Sequence, residues 1–535
     1  MAAHETLRLK TLTPSLEAQS RRLSISSDDD VLAANGEEDR LLGGERIRKR
    51  LYSLPKPLLA LLSVLAIFII YSLTTLLFRE RPHFPLPALL SNGTHPFYPT
   101  VILISLDGFR PSYLSTHPHL LPNLLSLPLR AESIQPVFPT LTFPNHWSLM
   151  TGLYPESHGI VANNFWDVET EQEWAVGNEV FEESMWWGGM PIWEVVERSG
   201  RISGNIMWWV MSFSSVEGHT DPIWRRPGPG TSRSGVSLSH FMPFANVDPP
   251  TKLAQLLQWI DLDINDRPQF ISAYIPEVDQ KGHLGGPVSS EVEKALTTVD
   301  TFVGGVLEGI KARNLGEVVE VIVVSDHGEP FEVDNDVRPT DGIQGMASTA
   351  NERLIYLDDI LGKDGVEAVE HKDGWPCVGL RFKEGTDISL YYHRLLEASK
   401  SANETFAVYT HETMPERWHF SHSDRIAPIY IIPHLGWALT DHHEHEVLHE
   451  GDYRPKGNHG YDNTFAEMQG IFLAQGTFVD KLKAKANIPR AKREDILVLE
   501  SFANLEIFGL VMKLMGLDKV APTHNGTVGF WDQLF

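Results

Sequence analysis

Three aspartates and three histidines stand where they could hold metal ions. Asp107 closes one apolar run, and Asp326 with His327 closes another. Asp279 and His283 are four residues apart, and His459 lies between glycines in Gly457-Asn458-His459-Gly460. A four-residue spacing lets two ligands face one ion from a helical turn or a loop. An adjacent pair leaving a strand in a tight turn can aim at the same ion, and flanking glycines permit close backbone approach. Singly, each residue reads as well as a turn, cap or solvated side chain. As a set of six they suit two sites for zinc or manganese, the oxygen-and-nitrogen sites of metal-dependent hydrolases. The chain has one cysteine, Cys377, which excludes an intrachain disulfide and any Cys-based zinc site.

A nucleophile could come from Phe138-Pro139-Thr140-Leu141-Thr142-Phe143-Pro144-Asn145-His146. Two prolines fix this loop, and Thr142 precedes a helix expected over His146 to Met150. A hydroxyl is a poor nucleophile at its own pKa. A bound divalent cation lowers that pKa, and a helix N-terminus favours the resulting anion. Local sequence leaves two roles open for Thr142: nucleophile, or simple helix N-cap.

The elements that must position these residues are legible as apolar runs. Thr100 to Leu106, Gln269 to Ile275 and Val318 to Val324 read as buried strands. Ser289 to Arg313 carries helical spacing through Val292, Ala295, Leu296, Val299, Phe302, Val303, Val306, Leu307 and Ile310. Continuous apolar strands alternating with helices predict an α/β fold, a mostly parallel central sheet with helices on both faces. Ligands of such sheets gather beyond the carboxyl ends of the strands. Asp107, Asp279 and Asp326-His327 all fall there.

The 535 residues are 42% apolar and 21% charged, a globular balance that excludes wholesale disorder. The net charge of −25 argues against a nucleic-acid-coating protein. It is unevenly placed: residues 1–57 sum to +1 and the rest to −26. Leu58 to Phe78 is a run of 21 uncharged residues, long enough at about 30 Å for one bilayer core. Arg46, Arg48, Lys49, Arg50 and Lys56 precede it, so the positive-inside rule predicts a cytosolic N-terminus and a type II, single-pass anchor. The expected organisation is a disordered tail over 1–57, a membrane helix over 58–78, a stalk over 79–98 and a lumenal or extracellular domain over 99–535. Sequons at Asn92, Asn403 and Asn525 all lie on that side. In the tail, Ser24, Ser26 and Ser27 form a phosphorylation candidate, and Glu37 to Leu42 resembles an acidic dileucine signal that a sorting adaptor would read. That signal points to an endosomal or vacuolar membrane, with the cell surface as the other destination.

The segments Asp107-Gly108-Phe109-Arg110, Thr142 to His146, Thr151 to Gly159 and His459-Gly460-Tyr461-Asp462-Asn463 resemble the nucleotide pyrophosphatase/phosphodiesterase family of the alkaline phosphatase superfamily. The likeness runs from about Pro99 to Phe478. It implies a phosphodiesterase holding two zinc ions, or another divalent metal. One would be held by Asp279, His283 and His459, the other by Asp107, Asp326, His327 and the Thr142 oxygen. It further implies that Thr142 attacks phosphorus, that water hydrolyses the resulting phospho-threonine, that Asn163 donates to the phosphate, and that Phe143 packs on a nucleobase. The implied substrates are nucleotides, dinucleotides or nucleotide sugars, with nucleoside 5′-monophosphate released. The family also contains choline-phosphodiester and lysophospholipid hydrolases, so a lipid head group is a second substrate class. A catalytically silent membrane receptor is a third reading, which the six intact ligands disfavour. A sulfatase is excluded, because Thr142 is followed by Phe143-Pro144-Asn145.

Three segments depart from that pattern or stand outside it. Asp441-His442-His443-Glu444-His445-Glu446, with His449-Glu450, reads as a solvated acidic loop before it reads as an ion site. The tryptophans at 186, 187, 193, 208 and 209 read as core or pocket wall. In the family, Asp-His-Gly is usually followed at once by Met, whereas here Glu329 to Gly345 intervenes before Met346. This acidic stretch shows no period of two or 3.6. It reads as an irregular lid or as a translated intron, and the intron is favoured because acidic groups beside two metal ions would compete with an anionic substrate.

Overall fold

The β-branched runs assemble into a central sheet. The computed structural model describes residues 86–176, 184–208, 238–329, 353–402, 405–448, 457–486 and 496–533, with Pro57 and Leu65. In chain order the strands used here are β1 (Thr100–Leu106), β2 (Leu129–Ala131), β3 (Ser203–Ile206), β4 (His240–Met242), β5 (Phe270–Ile275), β6 (Val319–Val324), β7 (Val369–Asp373), β8 (Val378–Phe382), β9 (Phe406–Tyr409), β10 (Ile429–Pro433), β11 (Phe472–Gln475) and β12 (Leu497–Leu499). The main sheet has eight strands in the order β12-β2-β11-β6-β1-β5-β3-β4. Every strand but β11 points the same way, and β11 is antiparallel to both neighbours. The expected mostly parallel sheet is therefore present as a mixed one.

Burial explains why the central strands lack alternation. Every residue of β1 and β5 is buried, so both faces of the sheet are covered. The helices used here are α1 (Thr142–Thr151), α2 (Pro249–Ile260), α3 (Glu277–Gly285), α4 (Ser290–Ala312), α5 (Leu357–Ala368) and α6 (Glu506–Leu514). They pack in two sets, α4 against α2 and α3, and α1 against α6. Helix α4 starts where Ser289 Oγ accepts from Val292 N–H, with Glu291 and Glu293 in the first turn. Its buried stripe includes Val292, Leu296, Val299 and Val303, as the spacing predicts. A smaller antiparallel sheet, β7-β8-β10-β9, has its own apolar core with Leu380, Leu395, Ile429 and Ile431. Trp186, Trp187, Trp193 and Trp208 are buried, the core reading of those residues; Trp209 lies outside the described residues.

One local expectation is corrected. Helix α1 begins at Thr142, four residues earlier than its apolar spacing suggests. Asn145 makes this possible, because its Nδ2 donates to the carbonyls of Pro139 and Leu141 and its Oδ1 accepts from Val137 N–H. That side chain satisfies the loop that the prolines leave short of donors. The N-cap is Leu141, so Thr142 is the first helical residue and is not a cap.

Among the described residues, no helix is long and apolar enough to cross a membrane. The run Leu58 to Phe78 (Leu65 apart), the Glu37 to Leu42 signal and the serine cluster lie outside the described residues. So do Asn403, His449-Glu450 and residues 330–345. Asn525 is exposed, as a glycan acceptor must be. Asn92 is half-buried, with its Nδ2 donating to the Arg313 carbonyl at 2.9 Å.

Candidate active site

Strands β6, β1 and β5 are neighbours and parallel, so their carboxyl ends deliver side chains to one place. Asp107 follows β1, Asp326 and His327 follow β6, and β5 leads into α3 with Asp279 and His283. Backbone bonds lock these ends together. Asp107 N–H donates to Ile275 O at 3.0 Å, and Asp279 N–H donates to Asp107 O at 3.1 Å. Gly108 turns the chain at φ +68°, and a Cβ there would lie 2.9 Å from Asp279 Cα. Only glycine allows this approach. The loop of Gly457 and Gly460 then brings His459 across from the far part of the chain.

The six residues form the two groups that the sequence suggests. Asp107, Asp326 and His327 have ligand atoms within 4.8 Å of one another, as do Asp279, His283 and His459. The rings of His327 and His459 stack at 3.7 Å and join the groups. In all three histidines Nδ1 meets a backbone carbonyl: Gly457 O for His283 (3.0 Å), Gly328 O for His327 (3.0 Å) and Thr140 O for His459 (2.9 Å). A carbonyl only accepts, so these bonds assign the proton to Nδ1 and leave the Nε2 lone pair for a cation. Each Nε2 faces a carboxylate: His327 is 3.0 Å from Asp326 Oδ2 and 3.4 Å from Asp107 Oδ1, and His283 and His459 are 3.3 and 3.4 Å from Asp279 Oδ1. Those three oxygens are buried and have no hydrogen-bond partner. Buried acceptors left in this state are costly, and lone pairs of nitrogen and oxygen converging without protons between them fit divalent cations.

Charge tells the same story. Burial, and then the negative charges of Asp326 and Asp279, push the Asp107 carboxyl well up, while the Tyr274 hydroxyl donates to its other oxygen and opposes this. Burial acts on Asp326 in the same sense, yet His327 and His146 hold it well down. His459 is pushed down to about 3 by burial and by His327. Asp279 overcomes burial at His283 and lifts it to about 9.

Thr142 occupies the first position of α1, with Oγ1 3.2 Å from His327 Nε2. It is thus placed between the start of a helix and a ligand histidine. Asn163 Oδ1 accepts from Phe143 N–H at 3.2 Å, which orients the amide and leaves Nδ2 as its donor end. Phe143 is only 5% exposed, and its ring meets Trp174 edge-on.

Several contributors were not singled out from the sequence. His146 is one turn after Thr142; its Nδ1 lies 2.9 Å from the Thr142 carbonyl and 3.2 Å from Asp326 Oδ2, and its Nε2 is 2.9 Å from Ser105 Oγ. The four-residue spacing from Thr142 is the signal that could have found it. Tyr274 lies within β5 and looks like an ordinary strand aromatic. Glu329, the first residue of the stretch read as an acidic lid or a translated intron, is fully buried beside Gly282. A third acidic group, Asp358, Asp359 and His442, is half-exposed. Both ring nitrogens of His442 face carboxylates, Asp359 at 3.2 Å and Glu446 at 3.3 Å, and the Asp359 bond raises its pKa. That is the setting of an imidazolium ion pair, consistent with a solvated acidic loop.

A hydroxyl at a helix start beside two nitrogen-and-oxygen donor groups defines a class, the metal-assisted hydrolases of phosphoryl compounds. The sequence profile of the type I phosphodiesterase / nucleotide pyrophosphatase family matches residues 101–341 and 344–462. A pyrophosphatase/phosphodiesterase of Schizosaccharomyces pombe is 37% identical over 445 residues, 82% of this chain and 80% of that protein. Human ectonucleotide pyrophosphatase/phosphodiesterase family member 1 is 32% identical over 447 residues, 82% of this chain but 42% of its own length. The chain thus spans less than half of the mammalian relatives of this kind. The solved structure of murine ectonucleotide pyrophosphatase/phosphodiesterase 5 superposes with a TM-score of 0.63 at 28% identity, covering 81% of this chain and 99% of that one. The chain belongs to the nucleotide pyrophosphatase/phosphodiesterase family of the alkaline phosphatase superfamily, whose members are hydrolases of phosphodiester and pyrophosphate bonds.

Proposed function

We propose that this chain hydrolyses nucleotide pyrophosphates and phosphodiesters to nucleoside 5′-monophosphates, with Thr142 as nucleophile and two zinc ions as cofactors. The observation that carries the reading is the position of Thr142 Oγ1, 3.2 Å from the Nε2 of a histidine that belongs to one donor group and stacks on the other. Asp107, Asp326, His327 and Thr142 would hold one ion, and Asp279, His283 and His459 the other. An ion held there supplies Lewis-acid polarisation of phosphoryl oxygens and lowers the pKa of a coordinated hydroxyl.

The chain's own groups account for the rest. Thr142 Oγ1 gives its proton to solvent water and bonds phosphorus while the P–O bond on the opposite side breaks, and the departing alcohol or phosphate oxygen takes a proton from water as needed. Asn163 Nδ2 donates to a non-bridging oxygen, where charge builds in the transition state. His146 steadies the turn by bonding the Thr142 carbonyl. Water then cleaves the phospho-threonine and regenerates the hydroxyl. A nucleotide substrate is supported by the murine phosphodiesterase 5, whose inactive variant is solved in complex with AMP. Phe143 would meet a base through the narrow edge that it exposes.

The topology belongs to the same proposal. The uncharged run Leu58 to Phe78, with the basic excess before it, supports a type II anchor and a lumenal or extracellular catalytic domain. The Glu37 to Leu42 signal supports delivery to endosomal or vacuolar membranes. The deciding assay compares nitrophenyl-TMP with nitrophenyl-phosphocholine on the purified protein, with and without chelator. Preference for the nucleotide ester and loss of turnover on chelation are expected. Preference for the choline ester would establish the lipid-type hydrolase, and full activity in strong chelator would end the metal mechanism.

A further inference from the structure

Glu329 directly follows the ligand pair and Gly328, and the structure buries it completely. Neither carboxylate oxygen has a hydrogen-bond partner. Its main chain is clamped: the Arg110 guanidinium donates to its carbonyl at 3.2 Å, and Gly328 N–H donates to Met468 O at 3.0 Å. The side chain is therefore held in place, not a loop tip.

Two glycines make the space it fills. A Cβ on Gly282 would lie 1.5 Å from Glu329 Oε2, and a Cβ on Gly457 would lie 3.2 Å from Oε1. Gly282 sits in α3 between Asp279 and His283, and Gly457 O is the carbonyl that orients His283. The carboxylate thus lies against the backbone that carries one donor group. A buried carboxylate without donors is strongly unfavourable unless a positive charge compensates it.

We propose that Glu329 is a further acidic residue of the Asp279, His283 and His459 centre, and that its charge tightens the hold of this centre on a divalent cation. The inference rests on the metal-dependent reading above. It makes the start of the acidic segment a part of the site.

The test is Glu329→Gln in the full-length protein, with zinc affinity measured by competition against chelators of graded strength. Removing a group that acts on a metal through its neighbours costs ten- to a hundredfold in affinity, and a loss of that size is expected for one zinc equivalent. The metal-free variant should melt no lower than metal-free wild type, since glutamine fills the same space, while its gain in melting temperature on adding zinc should be smaller. A merely structural Glu329 would lower both melting temperatures alike, and that result overturns the proposal. Equal zinc affinity in variant and wild type also overturns it, because the carboxyl would then be a neutral filler. If Glu329→Gln does not fold, Glu329→Met fills the same space without charge and is judged by the same two readouts. Wild type that binds no divalent cation would instead defeat the metal-dependent function itself, and this inference with it.

Discussion

Asn163 offers the sharpest separation of chemistry from structure, because its two ends have different partners. Its Oδ1 accepts from Phe143 N–H, while Nδ2 is the end assigned to the phosphate. In Asn163→Ala both ends go. Loss of one positioned donor to a developing oxyanion costs on the order of 10²- to 10³-fold in kcat, about 3 to 4 kcal/mol. Loss of the acceptor for Phe143 N–H adds about 1 kcal/mol of instability. Asn163→Asp keeps an oxygen for Phe143 and replaces the donor by an anion. It should therefore be as stable as wild type yet slower than the alanine variant, since the new charge repels the phosphate. Steady-state kinetics on nitrophenyl-TMP and urea unfolding of the same preparations provide both readouts. The alanine variant should lose kcat with little change in KM, because the interaction strengthens only as charge develops. An aspartate variant as active as wild type would refute the donor role, and a pure KM effect would demote Asn163 to ground-state binding.

Thr142→Ala should abolish turnover while melting temperature stays close to wild type; near-normal turnover, measured with the same ester, would mean that water attacks directly. Replacing Leu41 and Leu42 by alanine should shift the full-length protein toward the cell surface, which surface labelling reads, and an unchanged distribution would remove the sorting signal from the argument. His158 predicts an acid-sensitive fold. Burial pushes its imidazole down to about 3, and Arg425 acts in the same direction, whereas the unfolded chain titrates near 6.5. Between those values only the unfolded state binds the proton, so this stabilising contribution is whole above about pH 6.5 and is lost as pH falls toward 3. At pH 5 the loss is about 2 kcal/mol. Asn at 158 keeps an acceptor for Ile160 N–H, so urea unfolding at pH 7 and pH 5 should show a smaller drop in His158→Asn; equal drops would show that His158 is not responsible.

The sheet and the ligands were legible for one reason. Strands buried on both faces are mostly apolar, so the first acidic residue after each run marks its carboxyl end. Asp107 and Asp326 announce themselves in that way, and the boundaries of β5, β6 and α4 fall within one residue of the pattern. The start of α1 was not legible, because Asn145 satisfies the loop through a side chain that resembles any turn residue. Tyr274 was hidden by its good strand propensity, and the carbonyls that set the histidine tautomers have no sequence signature at all. Glu329 was misread because a run of acids predicts exposure, while its burial depends on two glycines far apart in the chain, Gly282 and Gly457.

Those carboxylates also bear on why the proposed cations would matter to the fold as well as to catalysis. Asp107, Asp279, Asp326 and Glu329 are all buried in one neighbourhood of a chain that carries −26 beyond residue 57. Arg110 is nearby, but one of its nitrogens bonds the Glu329 carbonyl. The three ligand histidines have their Nδ1 atoms committed to the backbone, so with an ion bound each would act as a lone-pair donor and bring no charge of its own. An anionic phosphate would be repelled from such a centre, where burial first, and then the charges of Asp326 and Asp279, raise the Asp107 carboxyl. Two divalent ions, held as proposed, would bring four positive charges to these four acids and leave the Asn163 amide to meet the substrate. On this account the acidity that made the 329 segment look hostile to an anionic substrate is, at its first residue, part of what allows a doubly charged metal to stay there.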